Sequence, residues 1–256
     1  MILTIDCGNT HTVLGCVDED GVKEPVMRIE TNRKKTMYEY AIDIDRVLLL
    51  CKVEPQSFSG VIISSVVPTV TDALRDAVKL ITGQDALIVG AGIKSGIRIC
   101  IDDPGTIAAD LVATAVAAKR DYPLPCAIID MGTATTITVV SGKGDYIGGV
   151  IMPGVGISMD ALTSGTSLLP SIDVAPPKKV IATATIDSMK AGIIYGTAGS
   201  LDGILDHFEN EIGEFRSIIA TGGLAHLICP YARHKIKVDE YMLLRGLYYI
   251  WKNNTK

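Results

Sequence analysis

Neither of the two commonest nucleotide fingerprints occurs in these 256 residues: there is no G-x-x-x-x-G-K-[ST], and no G-x-G-x-x-G follows a strand. A nucleotide can still bind, but only through a different architecture. No pair of the six cysteines (Cys7, Cys16, Cys51, Cys100, Cys126, Cys229) forms C-x-x-C, and most lie in apolar strand-like runs. They read as reduced core thiols of a cytoplasmic protein, not as a zinc or disulfide framework. Basic runs are scarce: the longest is Arg33-Lys34-Lys35, in a chain of net charge −5 and pI near 5.4, so no nucleic-acid partner is expected. No apolar run reaches membrane-spanning length, and Met1 leads into a strand without a basic and apolar leader, so no membrane partner or secretory route is expected. Aromatic residues make up only 5% of the chain, so the core must be built from Val, Ile, Leu and Ala, as in α/β proteins.

What is present is a repeat. The stretch ILTIDCGNTHTVLGCVD begins at Ile2, and a near copy, AIIDMGTATTITVV, begins at Ala127. In each, an apolar run is followed by Asp, one residue, Gly, a small polar residue and threonines. Asp6 and Asp130 therefore mark an internal duplication, and a period near half the length predicts two similar domains, 1–121 and 122–256, with a cleft between them.

Periodicity and turn residues predict strands over 2–6 and 12–17 joined at Gly8-Asn9, a second turn at Asp20-Gly21, and a helix over Met37 to Leu50. A buried strand over 61–67 precedes a helix from Thr69 to Ile81. An alanine-rich helix is expected over 102–120, its N-terminus charged by Asp102-Asp103 and started by Pro104, with Pro123 and Pro125 breaking the chain after it. The second half reads as a strand pair over 127–140, a turn at Gly142-Lys143-Gly144, helices over 155–165, 185–197, 199–212 and 239–252, and a strand over 216–220. Glycines in YIGGVIMPGVG and in Thr221-Gly222-Gly223 permit close approach of backbone to backbone or to a ligand.

A carboxylate at the end of a buried strand, beside a Gly-Asn-Thr turn, can hold a hydrated divalent cation while the turn's N–H groups and hydroxyls meet phosphate oxygens. Asp6, Asn9 and Thr10 fit that description, and Asp130, Gly132, Thr133, Thr135 and Thr136 repeat it. One D-x-G-N-T alone is more often a turn with an Asx hydrogen bond; the second copy tips the reading to a polyphosphate between two lobes. Two carboxylates would repel that polyphosphate unless metal cations neutralised them. Asp110 lies in the alanine-rich helix, on a solvated face or aimed into the cleft; periodicity leaves both open. His11, His207, His226 and His234 have no ligand spacing.

In order along nearly the whole chain, IDCGNT (5–10), DPGTIAADLV (103–112), IDMGTATT (129–136), GGVIMPGVGISMDAL (148–162), the Thr185 helix with SMKAGIIYG (188–196) and ATGGLA (220–225) resemble the type III pantothenate kinases. The resemblance implies an α/β fold of two tandem ribonuclease-H-like domains, in the superfamily of actin, sugar kinases and heat-shock ATPases. It implies a kinase that transfers the γ-phosphoryl group of ATP to pantothenate, giving 4'-phosphopantothenate at the first step of coenzyme A synthesis. By the same resemblance Asp6, Cys7, Gly8, Asn9, Thr10, His11, Thr12 and Val13 cradle the ATP phosphates, with Asp6 near Mg2+, and Thr133 adds a phosphate contact. Asp130 matches a site for a monovalent cation, K+ or NH4+. Asp110 matches the general base, Thr185 a pantothenate contact, and Ala108, Ala109 and Leu111 flank the base in the substrate site. A homodimer with the pantothenate pocket near its interface is implied as well.

Four positions, in three places, depart from the family pattern. Where Gly-x-Asp-Arg is usual, this chain has Ala108-Ala109-Asp110-Leu111, so a cation is missing near an anionic substrate. A charge-assisted hydrogen bond contributes ~1.5 to 3 kcal/mol, so the loss corresponds to roughly 10- to 150-fold in binding. Thr138 stands where many members have Asp, and Cys100 near where a tyrosine often lines the pocket. Leu111 motivates a second reading, a catalytically impaired paralogue that binds nucleotide or pantothenate as a sensor; a third is a transcriptional accessory protein of the kind that resembles this family in some bacteria, against which the acidic pI weighs.

Overall fold

The computed structural model describes residues 1–255 and shows two sheets, each built on one copy of the repeat. In the first copy β1 (Ile2–Cys7) turns at Gly8 into the antiparallel β2 (His11–Asp18), and β3 (Gly21–Glu30) extends the meander. At the second turn Gly21 has φ +119°, a backbone setting that a side chain would strain. α1 (Met37–Leu50) starts at a reciprocal cap: the Glu39 carboxylate accepts from the Thr36 N–H at 2.7 Å while Thr36 Oγ1 accepts from the Glu39 N–H. Its buried stripe of Tyr40, Ala41, Ile44 and Leu48 has helical spacing. β4 (Val61–Ser65) runs parallel to β1, and α2 (Pro68–Thr82) opens on a proline and ends at Gly83, φ +73°. β5 (Ala86–Ile88) completes the sheet, ordered β3-β2-β1-β4-β5.

β6 (Arg98–Ile99) and α3 (Ala109–Asp121) precede the second copy, which contains β7 (Cys126–Met131), β8 (Ala134–Val140), β9 (Asp145–Pro153), α4 (Val155–Ser164), α5 (Thr185–Ile212), β10 (Ser217–Thr221), α6 (Ala225–Ile228) and β11 (Lys237–Val238). α7 (Met242–Asn254) ends the described chain. The second sheet is ordered β11-β10-β7-β8-β9-β6. Without β6 this repeats the first sheet strand for strand, in the same pattern of parallel and antiparallel neighbours. In each copy one sheet face is apolar and covered: Leu3, Ile5, Leu14 and Ile63 pack with α1 and α2, and Ala127, Ile129, Ile137 and Ala220 pack with α5 and α6.

The chain divides into two compact units, one of Met1–Ile97, Asp102–Arg120 and Tyr241 onward, the other of Arg98–Ile101 and Asp121–Glu240. This differs from a simple cut at 121/122 because α7 returns to the first unit. There Gly246 lets α7 meet α3 at a distance no side chain allows: an added Cβ would stand 1.9 Å from the Ala113 carbonyl oxygen. Residues 98–99 go the other way because they pair with Asp145 and Tyr146 of β9.

Two helices also differ from the sequence reading. The segment expected as one helix over 102–120 begins with a three-residue turn, Pro104–Thr106, whose Gly105 N–H donates to Asp103 Oδ1 at 3.0 Å. Asp102 and Asp103 are therefore not the acidic start of α3; Asp110 is. The helices expected at 185–197 and 199–212 are one 28-residue helix, α5, carried through Gly196 and Gly199 by Ile194, Ala198, Leu201 and Leu205 buried against the sheet. β3, β5, β6, β9 and β11 were not expected as strands.

Candidate active site

In the first unit the loop Gly8-Asn9-Thr10 sits at the carboxyl end of β1, with Asp6 one residue inside the strand. Asp6 lies opposite Val13 and beside Ser64 of the parallel β4. Ser64 is fully buried and its hydroxyl has no hydrogen-bond partner, an orphaned oxygen next to the Asp6 position. The Gly8 N–H donates to the His11 carbonyl at 3.0 Å, so it is spent closing the turn. Asn9, Thr10 and His11 are exposed, whereas Cys7 and Thr12 point into the interior. Burial pushes the Cys7 thiol up, keeping it neutral, and Thr12 Oγ1 bonds Thr31 Oγ1 at 2.8 Å. Within 6–13, then, the side chains of Cys7 and Thr12 hold the loop in place, and only their backbones remain for a ligand. Val13 is half-buried.

Asp110, half-buried, is in the first turn of α3. Desolvation raises its carboxyl above the ordinary aspartate range; the Leu111 N–H, donating to Oδ1 at 2.7 Å, opposes that shift. The result is a carboxylate of increased basicity that is held in one orientation. Ala109 is buried, and Ala108 and Leu111 are half-buried beside it. Neither nearby cation on α3 replaces the missing arginine: Lys119 donates to the Gly96 carbonyl at 3.0 Å, and Arg120 stacks 4.6 Å from the Tyr249 ring centre.

In the second unit Asp130 and Thr133 take the places of Asp6 and Asn9, but the loop is one residue shorter: β8 starts at Ala134, and the Gly132 N–H donates to the Ala134 carbonyl at 3.1 Å. Asp130 pairs with Thr136 across β7 and β8, so the two share a face, and Thr138 lies on it two residues further. The Thr136 and Thr138 hydroxyls are buried without partners. Exposed Thr133 is backed by Gly154, where an added Cβ would stand 2.2 Å from the Thr133 carbonyl oxygen. Gly222, at φ +94°, packs on the Met131 backbone, where an added Cβ would stand 2.6 Å from the Met131 carbonyl oxygen. Thr185 is exposed at the first position of α5. All six cysteines are free, Cys100 exposed among them.

No three His, Cys, Asp or Glu side chains among the described residues converge as a metal cage. A single carboxylate with hydroxyls on neighbouring strand positions suits hard cations that take most of their ligands from phosphates and water. No helix among the described residues is long and apolar enough to cross a membrane.

Sequence reasoning missed Ser64 beside Asp6, which only the β1–β4 register reveals, and it missed Arg33, whose Nη2 donates to Asn9 Oδ1 at 3.0 Å. The basic triplet was the one signal that could have pointed to the latter.

Two like sheets, each with an Asp-x-Gly turn at the carboxyl end of an inner strand, define a tandem ribonuclease-H-like fold. Solved structures agree on that fold. The chain is similar over 99% of its length to 98% of a Campylobacter jejuni protein assigned to the Baf family of transcriptional activators (TM-score 0.64, 15% identity). It is similar over 99% to 95% of the activator of 2-hydroxyisocaproyl-CoA dehydratase from Clostridium difficile with bound ADPNP (TM-score 0.58, 12% identity). The family model of type III pantothenate kinase matches residues 2–207. The type III pantothenate kinase of Halalkalibacterium halodurans is 41% identical over 255 residues, 100% of both chains, and that of Anaeromyxobacter dehalogenans is 39% identical over 254 residues, 99% of this chain and 100% of that one. The chain belongs to the type III pantothenate kinase family.

Proposed function

We propose that the protein transfers the γ-phosphoryl group of ATP to the primary hydroxyl of pantothenate, producing 4'-phosphopantothenate for coenzyme A synthesis. The observation that carries this reading is end-to-end identity of about two residues in five with type III pantothenate kinases, on a fold whose two Asp–Gly turns occupy equivalent strand ends. A primary alcohol is a poor nucleophile, so the rate depends on alignment, charge neutralisation and a carboxylate that accepts the proton. Asp110 is that base, and its desolvated carboxyl favours proton acceptance. Exposed Asn9, Thr10 and His11 meet the donor phosphates together with Asp6, which would hold Mg2+ with the nucleotide and lower the repulsion between phosphate and acceptor. Thr133 adds a phosphate contact.

Asp130 would hold a monovalent cation, K+ or NH4+; the orphaned Thr136 and Thr138 hydroxyls on its face support an oxygen-lined cation environment there. Thr185, with Ala108, Ala109 and Leu111 around the base, contacts pantothenate in a homodimer. Six free thiols suit a reducing cytoplasm. The test is ATP consumption by the purified protein with magnesium, with and without pantothenate, in potassium and in a large organic cation. Pantothenate-dependent turnover that needs potassium is expected. ATP binding without turnover would instead favour the impaired paralogue, and equal rates in both cations would remove the role of Asp130.

A further inference from the structure

Of the three consecutive cations at 33–35, one is committed and two are not. Lys35 forms an ion pair with Asp43 at 2.6 Å, and Lys34 is exposed. Arg33 makes no ion pair with any carboxylate among the described residues; its contact is with Asn9, at the tip of the first Asp–Gly turn. An arginine that spends one of its five donors on a neutral amide leaves a planar, permanently charged fork with donors to spare.

The segment that carries Arg33 is fastened on both sides. The Thr31 N–H donates to the Thr10 carbonyl at 3.0 Å, and Thr31 Oγ1 bonds Thr12 Oγ1. The hydroxyl of fully buried Tyr40 accepts from the Asn32 N–H at 2.9 Å and donates to the Asn32 carbonyl at 2.8 Å. Asn32 Oδ1 then accepts from the Lys34 N–H at 2.9 Å, and Thr36 caps α1. Arg33 is therefore presented from a braced turn directly onto the loop. Its grip on Asn9 Oδ1 also leaves the Asn9 amide N–H groups as donors. This matters because the Gly8 N–H, the loop's first backbone donor, is already used within the turn.

We infer that Arg33 is a further donor-site residue, contacting the β- and γ-phosphates of the nucleoside triphosphate and turning the Asn9 amide toward them. The inference rests on the donor-site reading of this loop given above. A guanidinium combines a permanent positive charge with a planar fork that matches two phosphate oxygens at once, which no side chain among residues 6–13 does.

The experiment is calorimetric binding of Mg-ATP and of AMP to the wild type, Arg33→Ala and Arg33→Lys, with Arg75→Ala as control; among the described residues Arg75 pairs only with Asp72 and Asp76 on α2. Loss of one charge-assisted contact predicts ATP binding at least roughly tenfold weaker in Arg33→Ala, a smaller loss in Arg33→Lys, and little change for AMP or in the control. Wild-type ATP affinity in Arg33→Ala, or equal loss on ATP and AMP, overturns the inference and leaves the donor site standing. A wild type that does not bind ATP overturns the donor-site reading itself, and the inference with it.

Discussion

Replacing Asp202 with alanine is predicted to cost the second unit more stability than any surface ion pair would. Asp202 lies on α5 with its side chain 5% exposed, and its two oxygens gather the loop before β11. Oδ2 accepts from the Arg233 N–H at 2.8 Å, and Oδ1 accepts from the His234 N–H at 3.0 Å and lies 2.9 Å from His234 Nδ1; the Arg233 guanidinium adds a contact at 3.4 Å. Burial alone would raise this carboxyl, yet the hydrogen bonds from Arg233 and His234 hold it below the ordinary range. Alanine leaves two backbone N–H groups without an acceptor, at about 1 to 3 kcal/mol each, in line with the ~3 to 5 kcal/mol for breaking a buried charged contact. At about 3 °C per kcal/mol for a unit of this size, the melting transition falls by roughly 10 to 15 °C. Asp202→Asn retains one acceptor oxygen and loses about half as much.

The pH dependence has a definite sign. A depressed carboxylate contributes stability in full above its unfolded pKa, near 3.9, and loses it as pH falls through the lower folded value. As far as this carboxylate's own protonation is concerned, the gap between wild type and Asp202→Ala is thus full from neutral pH down to about 5 and closes only in stronger acid. Calorimetric melting at several pH values is the assay. A shift under about 2 °C at pH 7 would show that water replaces the carboxylate at both N–H groups and would refute the reasoning.

Three other outcomes are expected. Because burial raises the Asp110 carboxyl, the acid limb of kcat/KM falls at a higher pH than an ordinary aspartate would give; a limb at or below the ordinary value would contradict it. Gly154→Ala forces a Cβ to within 2.2 Å of the Thr133 carbonyl, so overpacking of about 1 to 3 kcal/mol, seen in urea melts, should accompany weaker ATP binding; unaltered binding would detach Thr133 from the donor site. Leu111→Arg is expected to lower KM for pantothenate at least roughly tenfold with kcat little changed, and an unchanged KM would mean that this chain anchors its acceptor without a cation there.

How far the sequence could be read depended on the length of the pattern. The strand pairs around Asp6 and Asp130 and the helix from Met37 to Leu50 were legible because each repeats its apolar spacing over several turns or pleats. β6 and β11 have two residues each, too few to show a period. The separate helices expected over 185–197 and 199–212 are one because burial of one face carries α5 through Gly196 and Gly199. The return of α7 to the first unit depends on contacts of Gly246, Leu244 and Trp251 with residues far away in sequence, and no local pattern encodes it. For the site the carboxylates were legible, since Asp at a strand end beside Gly is a local signature. Their neighbours were not: parallel pairing sets Ser64 beside Asp6, antiparallel pairing sets Thr136 opposite Asp130, and Arg33 reaches Asn9 across 24 residues.

The most direct test of the account compares wild type with Asp110→Asn in the presence of Mg-ATP, potassium and pantothenate, following 4'-phosphopantothenate by mass and ATP affinity by calorimetry. Product from the wild type is expected, and from the variant a kcat lower by about 100-fold or more with ATP affinity within about a factor of two. No product from a wild type that binds ATP, or near wild-type kcat in Asp110→Asn, would contradict it.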